Sequence, residues 1–286
     1  MPLFHRRTDA AETVRPRPAW LRALGRDEPP HIVTVAGRTY HRVDVFKHDS
    51  WAATALYECA DADAPVPRIT CKFNRRQSVL GVPCRWIGRR LARREADFLR
   101  RLGDLPGIPR EMGPVVVEGV IADTAAARQF VSGHPLGHRE RVGDGFFAEL
   151  QTLLTAVHAR DVAYVDLHKR ENVLVGDDGR PHLIDFQVSF GVQPGSWSLL
   201  PRRRVLSILQ RMDLYHCVKL HRKCRPDQCG LSAAELADAR PRLVRLHRLI
   251  AQPLRTLRRK LLTAIGVRKT GGRASSESFA EAALRQ

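Results

Sequence analysis

The sequence has no apolar run approaching the roughly 18–20 residues that a bilayer span requires. Its first twenty residues, MPLFHRRTDAAETVRPRPAW, have no apolar stretch after their basic positions, so they do not read as a secretory signal. A cytoplasmic location is therefore expected. Its six cysteines form no C-x2-C pair, and in a chain without an export signal they are expected to be thiols. Carboxylates are also scarce. Asp and Glu total 30 against 48 Lys and Arg, a net charge of +18, and Arg far outnumbers Lys. Such an excess attracts anionic partners such as nucleotides, phospholipid surfaces, phosphorylated glycolipids or nucleic acid, without choosing among them. Apolar residues are not scarce: at 43% they exclude wholesale disorder and supply a core. With 286 residues, the chain suits one large domain or two closely packed lobes.

The remaining cysteine question concerns Cys217, Cys224 and Cys229, which lie near His216 and His221. A zinc site is one reading, but C-x6-C-x4-C is not a standard zinc pattern, so small buried side chains and exposed histidines on a helix are the favoured reading.

Patterning changes midway along the chain. Residues 1–30 are rich in Arg, Pro and Ala and read as a basic arm with a short helix at 20–24. Short strand-like runs follow at 31–35, 39–46, 54–58, 68–73, 115–121 and 126–131. They are interrupted by one amphipathic helix at 89–102, with Leu91, Phe98, Leu99 and Leu102 on one face. From residue 145 the period becomes helical. Helices are expected at 145–160, 203–222, 233–250 and 254–265. A hairpin is expected from 173–175 and 182–184 around Gly176-Asp177-Asp178-Gly179. The expected organisation is an arm (1–30), a small β-rich lobe with one helix (31–131), a helical lobe (132–266) and a tail (267–286).

The segment 164–187, YVDLHKRENVLVGDDGRPHLIDFQ, concentrates the chemistry. Asp166 follows a helix, Asn172 precedes one hairpin strand and Asp185 follows the other. A tight hairpin would bring three hard oxygen-bearing side chains to one edge. That set suits a proton-accepting carboxylate next to a magnesium site.

In this order the residues resemble the protein-kinase-like superfamily. Tyr164-Val165-Asp166-Leu167 stands where that family has its H-x-D-L loop, Asn172 where it has the loop asparagine, and Asp185-Phe186-Gln187 where it has D-F-G. Upstream, Lys72 in Ile69-Thr70-Cys71-Lys72-Phe73 looks like the V-A-I-K lysine, and Glu95 in the next helix like its ion-pair partner. The resemblance covers about residues 35–222. It implies an α+β, two-lobed protein-kinase-like fold, with a small β-rich N-lobe carrying one helix and a reduced helical C-lobe. It also implies use of ATP and Mg2+, with Asp166 as base, Asn172 and Asp185 as metal ligands, and Lys72, braced by Glu95, on the phosphates. Backbone groups near Phe130, Val131 and Gly133 would meet the adenine edge.

The departures from the family pattern are specific. Asn172 lies six residues after Asp166 where five is usual, so one residue must bulge within 167–171, and Glu171 becomes an alternative ligand. Gln187 replaces the D-F-G glycine and should stiffen that turn. No G-x-G-x-x-G is present. The equivalent hairpin, 46–53, would cradle phosphates through backbone N–H groups, Ser50 and Lys47, or be an ordinary polar turn. No A-P-E triplet follows. These features resemble RIO-type kinases and lipopolysaccharide-core kinases that act on Kdo or heptose, and Asp166-Leu167-His168 also resembles the loop of aminoglycoside and choline phosphotransferases.

The acceptor implied is a sugar-lipid of lipopolysaccharide type or another anionic substrate. A RIO-like Ser/Thr protein kinase and a nucleotide-binding pseudokinase are the competing readings. Arginine clusters at 75–76, 89–90, 93–94, 100–101, 202–204, 219–225 and 255–260 read as solvated faces or as contacts with an anionic membrane surface, peripheral at its inner face. The basic amphipathic segment 254–265 is the best candidate for that contact. No aromatic-interleaved basic strand supports nucleic-acid binding. Oligomeric state is not legible.

Overall fold

In the computed structural model, which describes residues 18–79, 81–192 and 200–238, the first half of the chain builds one antiparallel sheet. Strands β1 (Ile32–Val35) and β2 (Arg38–His48) meet at Ala36-Gly37, both with positive φ. Then come β3 (Ala52–Cys59) and β4 (Arg68–Asn74), followed by helix α1 (Arg85–Leu102). Strands β5 (Val115–Val117), β6 (Val120–Ile121) and β7 (Ala125–Gln129) complete the sheet in the order β6-β5-β1-β2-β3-β4-β7. The single strand expected at 115–121 is in fact two. Glu118 and Gly119 both take positive φ and fold it into a tight hairpin.

Helix α1 begins one turn earlier than its apolar pattern suggests. Its buried stripe runs Gly88, Ala92, Glu95, Leu99, Leu102, and it packs on β4 and β7. Gly88 is required there, because a Cβ would overlap the Arg75 carbonyl. A core of Val33, Val35, Tyr40, Tyr57, Ile69, Cys71 and Phe73 fills this lobe.

Residues 18–30 are not an arm standing off the lobe. Leu24 is part of its core, Ala23 donates its N–H to the Asp49 carbonyl at 2.8 Å, and the Tyr57 hydroxyl donates to the Pro30 carbonyl at 2.7 Å. The earlier part of the expected arm lies outside the described residues.

The second half starts with β8 (Gly133–Pro135), which pairs with β10 (Val173–Gly176), itself paired with β11 (Pro181–Leu183). Helix α2 (Phe146–Ala159) lies between them in sequence and turns Phe146, Phe147, Leu150, Leu153, Leu154 and Val157 inward. Two short strands, β9 (Val162–Ala163) and β12 (Phe190–Gly191), pair with each other. Helix α3 (Leu200–Cys224) packs on α2 and β9, and α4 (Ala233–Asp238) follows. Tyr164, Leu167, Val173, Leu183 and Phe186 share a core with α2 and α3. The α+β, two-lobed layout expected from the sequence is thus the one found.

The helix expected at 233–250 is described only as far as α4. The expected helix 254–265, its basic cluster and the tail lie outside the described residues. No helix among the described residues is long and apolar enough to cross a membrane.

Candidate functional site

Five residues singled out in the sequence come together where the two lobes meet. Strand β4 carries Lys72 and the buried stripe of α1 carries Glu95. Their Nζ and Oε2 atoms are 3.6 Å apart, and the same Nζ lies 2.8 Å from Asp185 Oδ1. The lysine thus links the small lobe's helix to the end of the β10–β11 hairpin. Register explains the other pair. Val173 faces Leu183, and Ile184 N–H donates to the Asn172 carbonyl at 3.1 Å, which puts Asn172 beside Asp185. Asn172 Nδ2 then donates to Asp166 Oδ2 at 2.8 Å.

The extra residue between Asp166 and Asn172 is absorbed by two successive tight turns. Lys169 N–H donates to the Asp166 carbonyl at 3.0 Å and Asn172 N–H to the Lys169 carbonyl at 3.1 Å, with residues Arg170–Asn172 forming a 3-10 turn. These turns bring Asn172, rather than Glu171, onto the Asp166 carboxylate. They also bring Lys169, which sequence reasoning passed over, to 2.7 Å from Asp166 Oδ2. His168 Nδ1 lies 3.5 Å from Oδ1 of the same group.

The electrostatics follow from burial and proximity. Burial works to raise the Asp185 carboxyl, but the Lys72 ammonium overrides it and holds the group down at about 2. Burial opposes the charged form of Lys72, and the Asp185 and Glu95 carboxylates nonetheless hold its pKa above the ordinary range. Glu95 goes the other way. Its burial raises it further than Lys72 lowers it, and Asp185 adds to the rise.

Tyr164, which replaces the loop histidine, is buried. Its hydroxyl donates to the Ile184 carbonyl, and its ring packs edge-on against Phe186 at 5.1 Å. The loop's main support was not found from sequence. Asp213 on α3 is 0% exposed and accepts the Tyr164 N–H at 2.7 Å and the Val165 N–H at 2.8 Å, while His158 lies 3.2 Å away. Val165 sits at φ 71°, a costly conformation for a β-branched residue, and Asp213 secures both N–H groups around it. One signal could have exposed Asp213: it stands seven residues from both Leu206 and Leu220, in the buried stripe of α3, where an apolar residue is expected.

Gln187 does more than stiffen its turn. Its Nε2 donates to Asn74 Oδ1 at 2.6 Å, tying the segment to the end of β4. Arg94 on α1 donates to the Gln187 carbonyl at 3.1 Å and to the Ser189 carbonyl. Gln187→Gly is expected to cost about 1 kcal/mol through the lost bond and the freer backbone. Hydrogen exchange at residues 185–189 should quicken and the melting temperature should fall by a few degrees; unchanged exchange there would contradict the brace.

The remaining sequence candidates fare differently. In the 46–53 hairpin, Lys47 pairs with Asp49 Oδ2 at 2.7 Å. Asp49 N–H donates to the Ala52 carbonyl, and Asp49 Oδ1 accepts from the N–H groups of Trp51 and Ala52. The expected phosphate cradle therefore lacks these three backbone donors. The Ser50 carbonyl accepts from Arg75 at 2.6 Å. Phe130 stacks on Phe46 at 6.3 Å. Phe130 and Val131 also line a groove of about 840 Å3 with residues 103–110, which none of the five residues above lines. Gly133 pairs with Gly176 at the start of β8.

Several arginines read as surface charge are internal fasteners. Arg75 and Arg225 are buried, and Arg94 and Arg101 bind backbone carbonyls. Cys217 and Cys224 are buried and Cys229 is half-buried, but the histidines expected to be exposed are half-buried: His221 stacks on Phe147 at 4.6 Å and His216 lies 5.3 Å from the Tyr215 ring. Among the described residues no three His, Cys, Asp or Glu side chains are grouped to hold a metal ion.

No family model and no curated protein matches the chain. Among solved structures it is similar to the Rio2 kinase from Chaetomium thermophilum, at 13% identity and a TM-score of 0.45. The likeness covers 66% of this chain and spans 59% of the length of that one.

Proposed function

We propose that the chain is an ATP-dependent phosphotransferase that moves the γ-phosphate of MgATP to a hydroxyl. The observation that carries this reading is the position of Lys72 Nζ, 2.8 Å from Asp185 and 3.6 Å from Glu95, with Asp166 and Asn172 bonded to each other on the turns that lead into the same hairpin. Lys72 binds the α- and β-phosphates, and Glu95 braces it. Asp166 orients the acceptor hydroxyl and takes its proton. Lys169, next to Asp166, supplies positive charge where the transferred group carries negative charge.

The donor set fits a magnesium ion. Asn172 gives its amide nitrogen to Asp166, so its carbonyl oxygen points away from that carboxylate. Asp185 offers Lys72 one oxygen and keeps a second. Asn172 and Asp185 would hold the ion, and hard oxygen ligands are what magnesium takes. When bound, it would neutralise phosphate charge and polarise the bond that breaks.

The acceptor proposed is anionic, with a lipopolysaccharide-type sugar as the leading case. The support is the cationic and imidazole character beside Asp166, where the His168 ring lies 5.8 Å from that of His216, together with the +18 charge of the chain.

Labelled ATP offered with a sugar-lipid acceptor, and without one, tests the reading. Label on the sugar supports it. Label on the chain itself points to a RIO-type protein kinase. A MgATP-dependent thermal shift without transfer points to a pseudokinase. Lys72→Met is expected to lower kcat/KM for ATP by about 100-fold or more. Wild-type turnover in that variant would exclude Lys72 from the site.

A further inference from the structure

Three of the chain's four tryptophans are exposed on one end of the small lobe. Trp20 is 48% exposed, Trp51 48% and Trp86 61%, and Val82, four residues before Trp86, is 61% exposed. The segments that carry them meet around one buried residue, Arg75. Arg75 donates through Nη2 to the Trp20 carbonyl at 2.9 Å and through Nη1 to the Ser50 carbonyl at 2.6 Å, while its own N–H donates to the Trp51 carbonyl at 2.8 Å. The turn of α1 that follows Trp86 packs against the Arg75 carbonyl at Gly88. Three indoles facing water on three neighbouring segments have no folding reason to be there. Each would be more stable with its ring out of water.

The charge around the rings is positive. Arg26, Arg76, Arg85, Arg89 and Arg90 are set against Asp27 and Asp123, while Arg22 pairs with Glu28 and Lys47 with Asp49. On α1, Arg89 and Arg90 lie three and four residues from Trp86, on its own face. Indole rings at loop and helix tips within a cationic rim match a bilayer interface. There the ring sits at headgroup depth and Arg meets lipid phosphate. A protein partner would need a shaped surface, whereas these rings project from separate segments. The overall charge adds long-range attraction to an anionic leaflet.

We propose that this end of the small lobe docks on an anionic phospholipid surface, with Trp20, Trp51 and Trp86 as interfacial anchors. The hairpin that carries Trp51 leads directly into β3, where Thr54 pairs with Lys72 of β4. Docking therefore holds the Lys72 end of the sheet near the lipid surface. The docking itself does not depend on the proposed phosphotransfer.

The test uses the full chain, without ATP, and vesicles of phosphatidylcholine with or without phosphatidylglycerol. Sedimentation with the anionic vesicles only, and a blue shift of tryptophan emission, are expected. The double variant Trp20→Ser/Trp86→Ser changes only exposed rings, so its thermal melt should match the parent. Its vesicle binding should fall by at least about tenfold. Parental binding by the variant, equal binding to neutral vesicles, no binding at all, or a parental dimer that the variant dissolves would each overturn the proposal. Because phosphotransfer is read separately, failure here leaves the reading of the cleft standing.

Discussion

Asp166→Asn should lower kcat for phosphoryl transfer by about 10²–10⁴-fold while leaving the MgATP-dependent thermal shift intact. The substitution keeps size and shape. The new carbonyl oxygen can still accept from Lys169 or Asn172, which hold the present carboxylate at 2.7 and 2.8 Å. It cannot take a proton from the acceptor. Asp166 is buried and touches neither Lys72 nor Asp185 directly, so nucleotide binding should feel the change little. Two readouts are needed: single-turnover transfer from labelled ATP, and melting with and without MgATP. Retained transfer would remove Asp166 from the role of base. Loss of both signals would mean that the loop had collapsed, and circular dichroism of the variant would detect it. Asn172→Asp makes a second contrast. It keeps an oxygen ligand but sets a second carboxylate against Asp166, so it should disturb loop stability as well as rate.

The parts of the site legible in the sequence are those fixed by short periods. The 173–184 hairpin sets Asn172 and Asp185 side by side because a four-residue turn leaves one register, Val173 opposite Leu183. Glu95, by contrast, was readable only through the family resemblance, as the partner of Lys72 in the next helix; the apolar pattern put Leu91 and Phe98 on the inner face, whereas the buried stripe of α1 in fact runs through Ala92, Glu95 and Leu99. Lys72 was readable in the same way, from the likeness of Ile69-Thr70-Cys71-Lys72-Phe73 to the V-A-I-K strand.

What sequence did not reveal depends on contacts between distant segments. Gln187 meets Asn74 across 113 positions, and Asp213 meets Val165 across 48. Neither contact has a period. The arginines misled for a related reason. A guanidinium has five donors and suits loop carbonyls as well as it suits water, so composition counts Arg75, Arg94, Arg101 and Arg225 as surface charge. In the fold each fastens one segment to another, and the +18 charge overstates what the surface presents.

Arg75→Met should therefore be among the most destabilising single changes in the chain, costing about 3–5 kcal/mol. Arg75 is 2% exposed, and no carboxylate among the described residues pairs with it. Its guanidinium instead donates to the carbonyls of Trp20, Leu21, Ser50, Gln77 and Ser78. Methionine fills the space but donates nothing. At least two or three buried acceptors then lose their partner, at about 1–3 kcal/mol each, partly offset because a buried charge is removed as well. Lysine reaches one or two of those carbonyls without the fork and should recover only part of the loss. Urea melts of the two variants would give the ranking wild type, then lysine, then methionine. The effect should also be local in origin. Hydrogen exchange would quicken first at residues 19–24 and 48–52, the segments that Arg75 joins, while α2 and α3 keep their protection until global unfolding. A methionine variant as stable as the parent would show that the five bonds are replaceable by packing alone.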